Sequence, residues 1–260
     1  MTKKTYFVSD LHLGVGARVS SIERERQFVR WLDMAAKDAE AIYLIGDIFE
    51  FWFEYCTVIP KGYARFFGKI AELRDDGVPI YFFTGNHDIW MFDYFEKEFG
   101  IPTYRKPITK TIQGKTFFIG HGDGLGPDDI GYKLMKKVFT NPLCQWLFER
   151  IHPNFGIRLA NYWSGKSREV KYLKRRDWLG ANKEWLVAYC ERKITQNTDI
   201  QYFVFGHRHL PIDFTLKNKS TKYINTGDWL NYNSYAFFDG EKMQVAFFET
   251  EAVSVEYAYE

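Results

Sequence analysis

Apolar residues in this chain come in short unbroken runs rather than in alternation with polar ones. Residues 5–9 (TYFVS), 41–45 (AIYLI), 78–83 (VPIYFF), 116–119 (TFFI) and 202–205 (YFVF) are rich in Val, Ile, Phe and Tyr. Runs this short, with no polar face, read as strands buried on both sides. Residues 22–37, 62–75 and 91–99 lie between them and carry helical patterns. After residue 205 come further strand-like pieces at 212–216, 222–225, 234–238 and 243–248, with Asp239-Gly240 marking a turn between the last two. Alternating elements followed by a run of strands predict an α/β fold with a mixed sheet or two packed sheets. No repeat or low-complexity tract interrupts it.

The stretch between the fourth and fifth runs is different. It predicts helices over 129–149, 155–162 and 167–174, broken near Pro142 and Pro153, and a further helix over 178–194. We read 1–260 as one domain and 128–176 as a helical insertion, or lid, within it. The whole chain has a net charge of +2, but residues 133–176 hold eleven Lys/Arg against Glu149 and Glu169. That segment is +9 and the remainder −7. A charge run is usually a solvated face. Here Phe139, Leu143, Trp146, Leu147, Phe155 and other large apolar residues interleave with the cations. Basic plus apolar suits a lipid-facing surface that meets anionic headgroups. Single-stranded nucleic acid is the rival partner. The chain carries no RNA- or DNA-binding motif, so no nucleic acid is expected.

A hydrophobic fraction of 46% is ample for a core in 260 residues. No stretch approaches 18 consecutive apolar residues, so no transmembrane helix is expected. The first run begins four residues from Met1, which leaves no room for a signal peptide. Cys56, Cys144 and Cys190 are dispersed without a CxxC pair, which fits a reducing cytoplasm better than a disulfide framework.

Each of the five runs ends in residues able to bind a metal. The first leads to Asp10-Leu-His12, the second to Gly46-Asp47, and the third to Gly85-Asn86-His87-Asp88. The fourth leads to Gly120-His121 and the fifth to Gly206-His207-Arg208-His209. The carboxyl ends of strands in open α/β sheets form the ligand crevice. Five of the six histidines in the chain lie in these turns. Any one alone could be a capped or core histidine. Five together, with two Asp and an Asn, point to a metal centre. Imidazole, carboxylate and amide oxygen without thiolate suit Mn²⁺, Fe²⁺ or Zn²⁺ better than Mg²⁺. Two such ions about 3.5–4 Å apart can clamp the attacking and leaving oxygens of an in-line displacement.

With these five motifs in this order, the chain resembles the calcineurin-like metallophosphoesterases. The resemblance implies a four-layer αββα sandwich and two divalent ions. One would be held by Asp10, His12, Asp47 and His209, the other by Asp47, Asn86, His121 and His207, with Asp47 bridging. GDIFEFW at 46–52, HGDGLGPDDIGY at 121–132, GHRHLP at 206–211 and TGDW at 226–229 make it similar to a narrower group, the UDP-2,3-diacylglucosamine pyrophosphohydrolases of lipid A synthesis. Those enzymes release UMP and lipid X from a nucleotide-linked glycolipid. That likeness implies substrate contacts at Asn86, His87, Asp129, Tyr132, Ser164, Arg168, Lys171 and His209. It also implies a cytoplasmic protein held peripherally on the inner membrane. The best-known members carry Arg where this chain has His87, and Asn is common where it has Arg168. His87 is then either a general acid for the leaving group or a clamp on a phosphoryl oxygen, unless Asp88 merely fixes it in place. A phosphodiesterase or phosphatase acting on another nucleotide or phospholipid is the alternative activity. A metal-stabilised binding scaffold is the non-enzymatic one. Glu50 reads equally as an orienting carboxylate or a solvated side chain. Phe49, Phe51, Trp52, Phe53 and Tyr55 read as pocket lining or as core.

Overall fold

A computed structural model describes residues 3–126, 130–165 and 177–259. Strands β1 (Lys4–Val8), β2 (Ala39–Ile45) and β3 (Ile80–Phe83) come first. A short β4 (Thr103–Tyr104), then β5 (Ile108–Ile112) and β6 (Lys115–Ile119), follow. The rest are β7 (Tyr202–Phe205), β8 (Pro211–Thr215), β9 (Lys222–Thr226), β10 (Ser234–Phe238), β11 (Met243–Phe247) and β12 (Glu256–Tyr257). The described helices are α1 (Ser21–Ala36), α2 (Ala64–Asp75), α3 (Tyr94–Phe99), α4 (Ile130–Phe139), α5 (Pro142–Glu149), α6 (Pro153–Gly165) and α7 (Trp185–Ile194).

The strands form two six-stranded sheets, ordered β11-β10-β1-β2-β3-β4 and β12-β8-β9-β7-β6-β5. β1 through β4 are parallel, with β10 and β11 antiparallel at one edge. In the second sheet β6, β7 and β9 are parallel, and β5 and β8 run against them. The unbroken apolar runs are explained by burial on both faces. Tyr6, Val8, Ile42, Leu44, Ile80 and Phe82 turn outward to Phe28 and Trp31 of α1, Phe66 and Ile70 of α2, and Phe95 of α3. Their neighbours Phe7, Tyr43, Ile45 and Phe83 turn inward and meet Phe117, Ile119, Val204 and Ile224 of the other sheet. On the far side Phe118, Phe203, Phe205 and Tyr223 pack on Leu186, Val187 and Cys190 of α7. The order is helix, sheet, sheet, helix, the four-layer α/β sandwich expected. Each fully buried Phe, Ile or Leu contributes about 1.5–3 kcal/mol, so a polar residue on either face of β1, β2 or β7 would be costly.

Two predicted boundaries shift for identifiable reasons, and one predicted break falls where it was expected. The helix expected over 91–99 begins at Tyr94, because the Glu54 carboxylate takes the amides of Phe92, Asp93 and Tyr94 and caps it from outside. The helix expected over 178–194 begins at Trp185, after a turn in which Lys183 and Glu184 donate to the Gly180 carbonyl. The break expected near Pro142 divides the 129–149 stretch into α4 and α5: Asn141 accepts from the amides of Leu143 and Cys144 and starts α5, with Pro142 in its first turn. Residues 167–174 lie outside the described residues. The short strands β4, β5 and β12 were not expected; Thr, Lys and Glu dilute their apolar content.

Candidate metal centre

The turns after β1, β2, β3, β6 and β7 meet where the two sheets adjoin. Their backbones are bent hard. Among the described residues, ten non-glycine positions have positive φ, and Asp10, His12, Asp47, His207 and His209 are five of them, at 46° to 64°. Such conformations cost energy for side chains other than glycine and persist where the surroundings enforce them, as at functional sites. Close backbone approach enforces them here. A Cβ on Gly85 would strike the Asp47 carboxylate, and one on Gly206 would strike Ser9 and Asp10.

Three groups of side chains each bring one ligand atom per residue within 4.8 Å of one another: Asp10/His12/His209, His12/Asp47/His87 and Asp47/His121/His207. Asp47 and His12 each belong to two groups, so the three are one connected cluster. His121 Nε2 is 3.2 Å from Asp47 Oδ2, and His209 Nε2 is 3.3 Å from Asp10 Oδ1. His12 Nε2 lies 3.6 Å from Asp10 and 3.9 Å from Asp47.

The outer nitrogen of each of these three rings is already committed. His12 Nδ1 donates to Glu50 Oε2 at 2.8 Å, His121 Nδ1 to the Ile45 carbonyl at 2.9 Å, and His209 Nδ1 to Asp228 Oδ2 at 3.2 Å. A carbonyl or carboxylate can only accept, so Nδ1 carries the proton. In the neutral ring Nε2 then has a lone pair facing the cluster, the tautomer a metal requires. His87 Nδ1 donates to the Glu50 carbonyl at 2.9 Å, which anchors its ring. Asp88 does not fix His87. Its carboxylate instead takes the amides of Gly85, Asp47 and Ile48 and holds the β2 and β3 turns together.

The charge balance fits a cation. Burial disfavours charge on His12 and His121, yet hydrogen bonds to Asp10 and Glu50 lift His12 to about 10, and Asp47 lifts His121 to about 10. Against its own burial, Asp47 is held well below the usual carboxylate range by His121 and His87; His209 and His12 lower Asp10 in the same way. The carboxylates thus draw protons onto two nitrogens that a metal ion would occupy, releasing them on binding. Burial and the neighbouring His121 push His207 down to about 4, so it stays neutral. Asp10 Oδ1, Asn86 Oδ1 and His121 Nε2 are buried and have no hydrogen-bond partner among the described residues. Lone pairs left so are costly unless something else occupies the space between them. This donor set fits divalent metal.

The structure therefore brings Asp10, His12, Asp47, Asn86, His87, His121, His207 and His209 into one neighbourhood. Tyr132 lies on α4, its hydroxyl on Asp123, two residues beyond His121. Asp129, Arg168, Lys171 and the Ser164 side chain lie outside the described residues. Glu50 proves to be buried, on His12 rather than in solvent. The aromatic run divides: Phe49 and Trp52 are core, while Phe51, Phe53 and Tyr55, with Trp90, meet Phe139, Phe148 and Ile157 of α4, α5 and α6. Sequence reasoning missed Asp123, Glu184 and Asp228. Two of them sit inside motifs already quoted, HGDG and TGDW; burial marks all three, Asp123 beside Lys136, Glu184 beside Arg208 and Asp228 on His209 Nδ1.

A family model described as calcineurin-like phosphoesterase matches residues 3–211. A UDP-2,3-diacylglucosamine hydrolase of Porphyromonas gingivalis is 38% identical over 251 residues, covering 92% of this chain and 95% of that protein. Proteins of the same name from Vibrio parahaemolyticus and Vibrio vulnificus are 31% and 30% identical. Each aligns over 88% of this chain, and over 92% and 91% of its own length.

Proposed function

The chain belongs to the calcineurin-like phosphoesterases, a family of metal-dependent hydrolases, and from that premise we propose that it cleaves the pyrophosphate of UDP-2,3-diacylglucosamine. The products are UMP and 2,3-diacylglucosamine 1-phosphate, a step of lipid A synthesis. The observation that carries the reading is the likeness to the Porphyromonas gingivalis hydrolase over 92% of the chain. That span is too long to leave the α4–α6 segment outside it, so it covers both the metal turns and the region proposed to meet the lipid.

Asp10, His12, Asp47 and His209 would hold one divalent ion, and Asp47, Asn86, His121 and His207 the second. Asp47 belongs to two of the three ligand groups, one with His121 and His207 and one with His12 and His87, which supports its place in both sets. Mn²⁺ is the proposed metal, with Fe²⁺ and Zn²⁺ accommodated by the same donors. Bound ions supply Lewis acidity, opposing the charge that builds on phosphoryl oxygen and making water acidic near neutral pH. Glu50, Asp228 and the Ile45 carbonyl keep the three imidazoles in the correct tautomer and orientation. His87, anchored through Nδ1, clamps a phosphoryl oxygen as the imidazolium, because with Nδ1–H on the Glu50 carbonyl only a protonated Nε2 can donate to that oxygen. A phosphate leaving group needs little protonation, so a clamp is favoured over a general acid.

Residues 128–176 form the lid over the glycolipid, with Asp129, Tyr132, Ser164, Arg168 and Lys171 among its substrate contacts. Leu134, Leu143, Trp146, Leu147, Phe155 and Tyr162 on α4, α5 and α6 are exposed. Apolar side chains gathered this way mark an interaction surface. No described helix is long and apolar enough to cross a membrane, and the fitting arrangement is a peripheral hold on the cytoplasmic face of the inner membrane. The test is mass spectrometry of the products formed from UDP-2,3-diacylglucosamine with Mn²⁺. UMP and the lipid 1-phosphate are expected. Release of UDP, or no turnover by metal-loaded protein, refutes the reading.

A further inference from the structure

The segment holding α4, α5 and α6 leaves the sandwich just after His121 and returns just before α7. Both of its roots are fastened to turns that carry histidines of the metal cluster. At the upstream root Asp123, two residues beyond His121, is buried. Its carboxylate takes the Lys136 ammonium at 2.5 Å and the Tyr132 hydroxyl, both from α4. Lys133, also on α4, donates to the Gly126 carbonyl at 2.5 Å. At the downstream root Arg208, between His207 and His209, grips Glu184 through Nε at 2.9 Å and Nη2 at 2.7 Å. The same Nη2 donates to the Asp177 carbonyl at 2.8 Å. Glu184 immediately precedes α7, whose first residue, Trp185, packs edge-on against His207.

These contacts are more than packing. A two-pronged guanidinium–carboxylate pair fixes direction as well as distance. The Arg208–Glu184 pair and Asp123 are buried, where such interactions are little screened by solvent. No other described ion pair joins α4 to the body of the protein.

We propose that Asp123 and Arg208 are positioning residues that couple the α4–α6 segment to the turns bearing His121, His207 and His209. Seating of a ligand under that segment then adjusts the cluster, and a slack segment loosens it. The inference rests on the function proposed above for its kinetic readout, and on hydrogen exchange for a readout independent of the substrate.

The experiment compares metal-loaded wild type with Lys136→Met, Asp123→Asn and the double variant. Lys136→Met alters only the α4 side of the pair. It should speed amide exchange in residues 121–126 and lower kcat on the lipid-linked substrate by about two- to thirtyfold, the range of such couplings, with metal content unchanged. Asp123→Asn, whose amide oxygen still accepts from the Tyr132 hydroxyl, should lose the same factor and the double variant no more, because both then remove the one ion pair. Lys136→Arg should restore the rate. Arg208→Lys, or Glu184→Gln if the former does not fold, should speed exchange in 177–184 and lower kcat likewise. Wild-type exchange and kcat in Lys136→Met overturn the proposal. So do losses that multiply in the double variant, and so does loss of metal from Lys136→Met, which would assign the pair to metal retention. If wild type fails to cleave the UDP substrate while exchange responds as described, the proposed function falls and the coupling stands.

Discussion

Replacing Glu50 by Gln tests how much of the metal site's affinity resides in groups that never touch the metal. Glu50 is 5% exposed, and its Oε2 accepts from His12 Nδ1 at 2.8 Å. The amide introduced by Glu50→Gln keeps the volume and offers a neutral oxygen in place of a charged one. A hydrogen bond to a charged group is worth about 1.5–3 kcal/mol and a neutral one about 0.5–1.5 kcal/mol. The difference of about 1–1.5 kcal/mol corresponds to roughly tenfold in an equilibrium constant. The backbone carbonyl that receives His87 is unaffected. Glu50→Gln should therefore need about ten times more Mn²⁺ for half activation while approaching the wild-type rate at saturation. Glu50→Ala, which leaves Nδ1–H without its acceptor, should move toward the roughly hundredfold upper range seen when such partners are removed. The assay strips the protein with EDTA, titrates Mn²⁺, and reads bound metal and turnover together, with thermal unfolding as the control for folding. If Glu50→Gln binds Mn²⁺ as wild type does, the carboxylate is a wall of the site and the orienting argument fails.

Asp47→Ala and His121→Ala should abolish turnover and lower metal content while far-UV circular dichroism stays native, because both contribute atoms to the shared cluster. EDTA should inactivate the protein and Mn²⁺ restore it; full activity in verified metal-free protein would remove the metal mechanism. His87→Ala should keep both ions and lose about 10²–10³ in rate, the typical cost of a missing electrostatic donor. A variant with only one ion by metal analysis would instead make His87 a ligand. Changing exposed Trp146, Leu147 and Phe155 to Ser, with Lys137→Glu, should weaken co-sedimentation with anionic vesicles and raise the KM for the diacyl substrate. Each surface cation is worth about 1 kcal/mol at low salt. Hydrolysis of a small soluble aryl diester should stay near wild type, and equal impairment of both substrates would show the segment to be structural.

What the sequence announced, and what it hid, follows from distance along the chain. The candidate ligands were legible because each lies within a few residues of an apolar run, and a strand buried on both faces has only its end free for polar chemistry. All five runs became strands, and all five turns meet. The residues that hold those ligands are remote. Glu50 is 38 positions from His12, Asp88 is 41 from Asp47, Asp228 is 19 from His209, and Glu184 is 24 from Arg208. No local spacing pairs such residues; the pairing of neighbouring strands, β1 with β2, β2 with β3 and β7 with β9, brings the first three together, and the packing of α7 on β7 the fourth. Glu54 is the same case in the fold itself, since a carboxylate nearly forty residues away decides where α3 begins.

The charge of the inserted segment shows the converse error, in which a local count says too much. Residues 133–176 carry +9 in sequence, and counting would offer every cation to a membrane. Lys136 is paired with Asp123 and its side chain is only 34% exposed; Lys133 is drawn to the Gly126 carbonyl. Both face the protein, and neither is available to a headgroup without breaking the upstream root. Lys137, one residue on, is exposed. Reversing Lys136 and Lys137 together would therefore mix two effects, detachment of α4 and loss of surface charge. Changing them singly separates the two. Lys137→Glu should change vesicle binding and its salt dependence with kcat untouched, whereas Lys136→Met should lower kcat with vesicle binding nearly intact. If the two variants behave alike in both assays, α4 makes no distinction between its inner and outer cations, and the assignment of Lys136 to the interior is wrong.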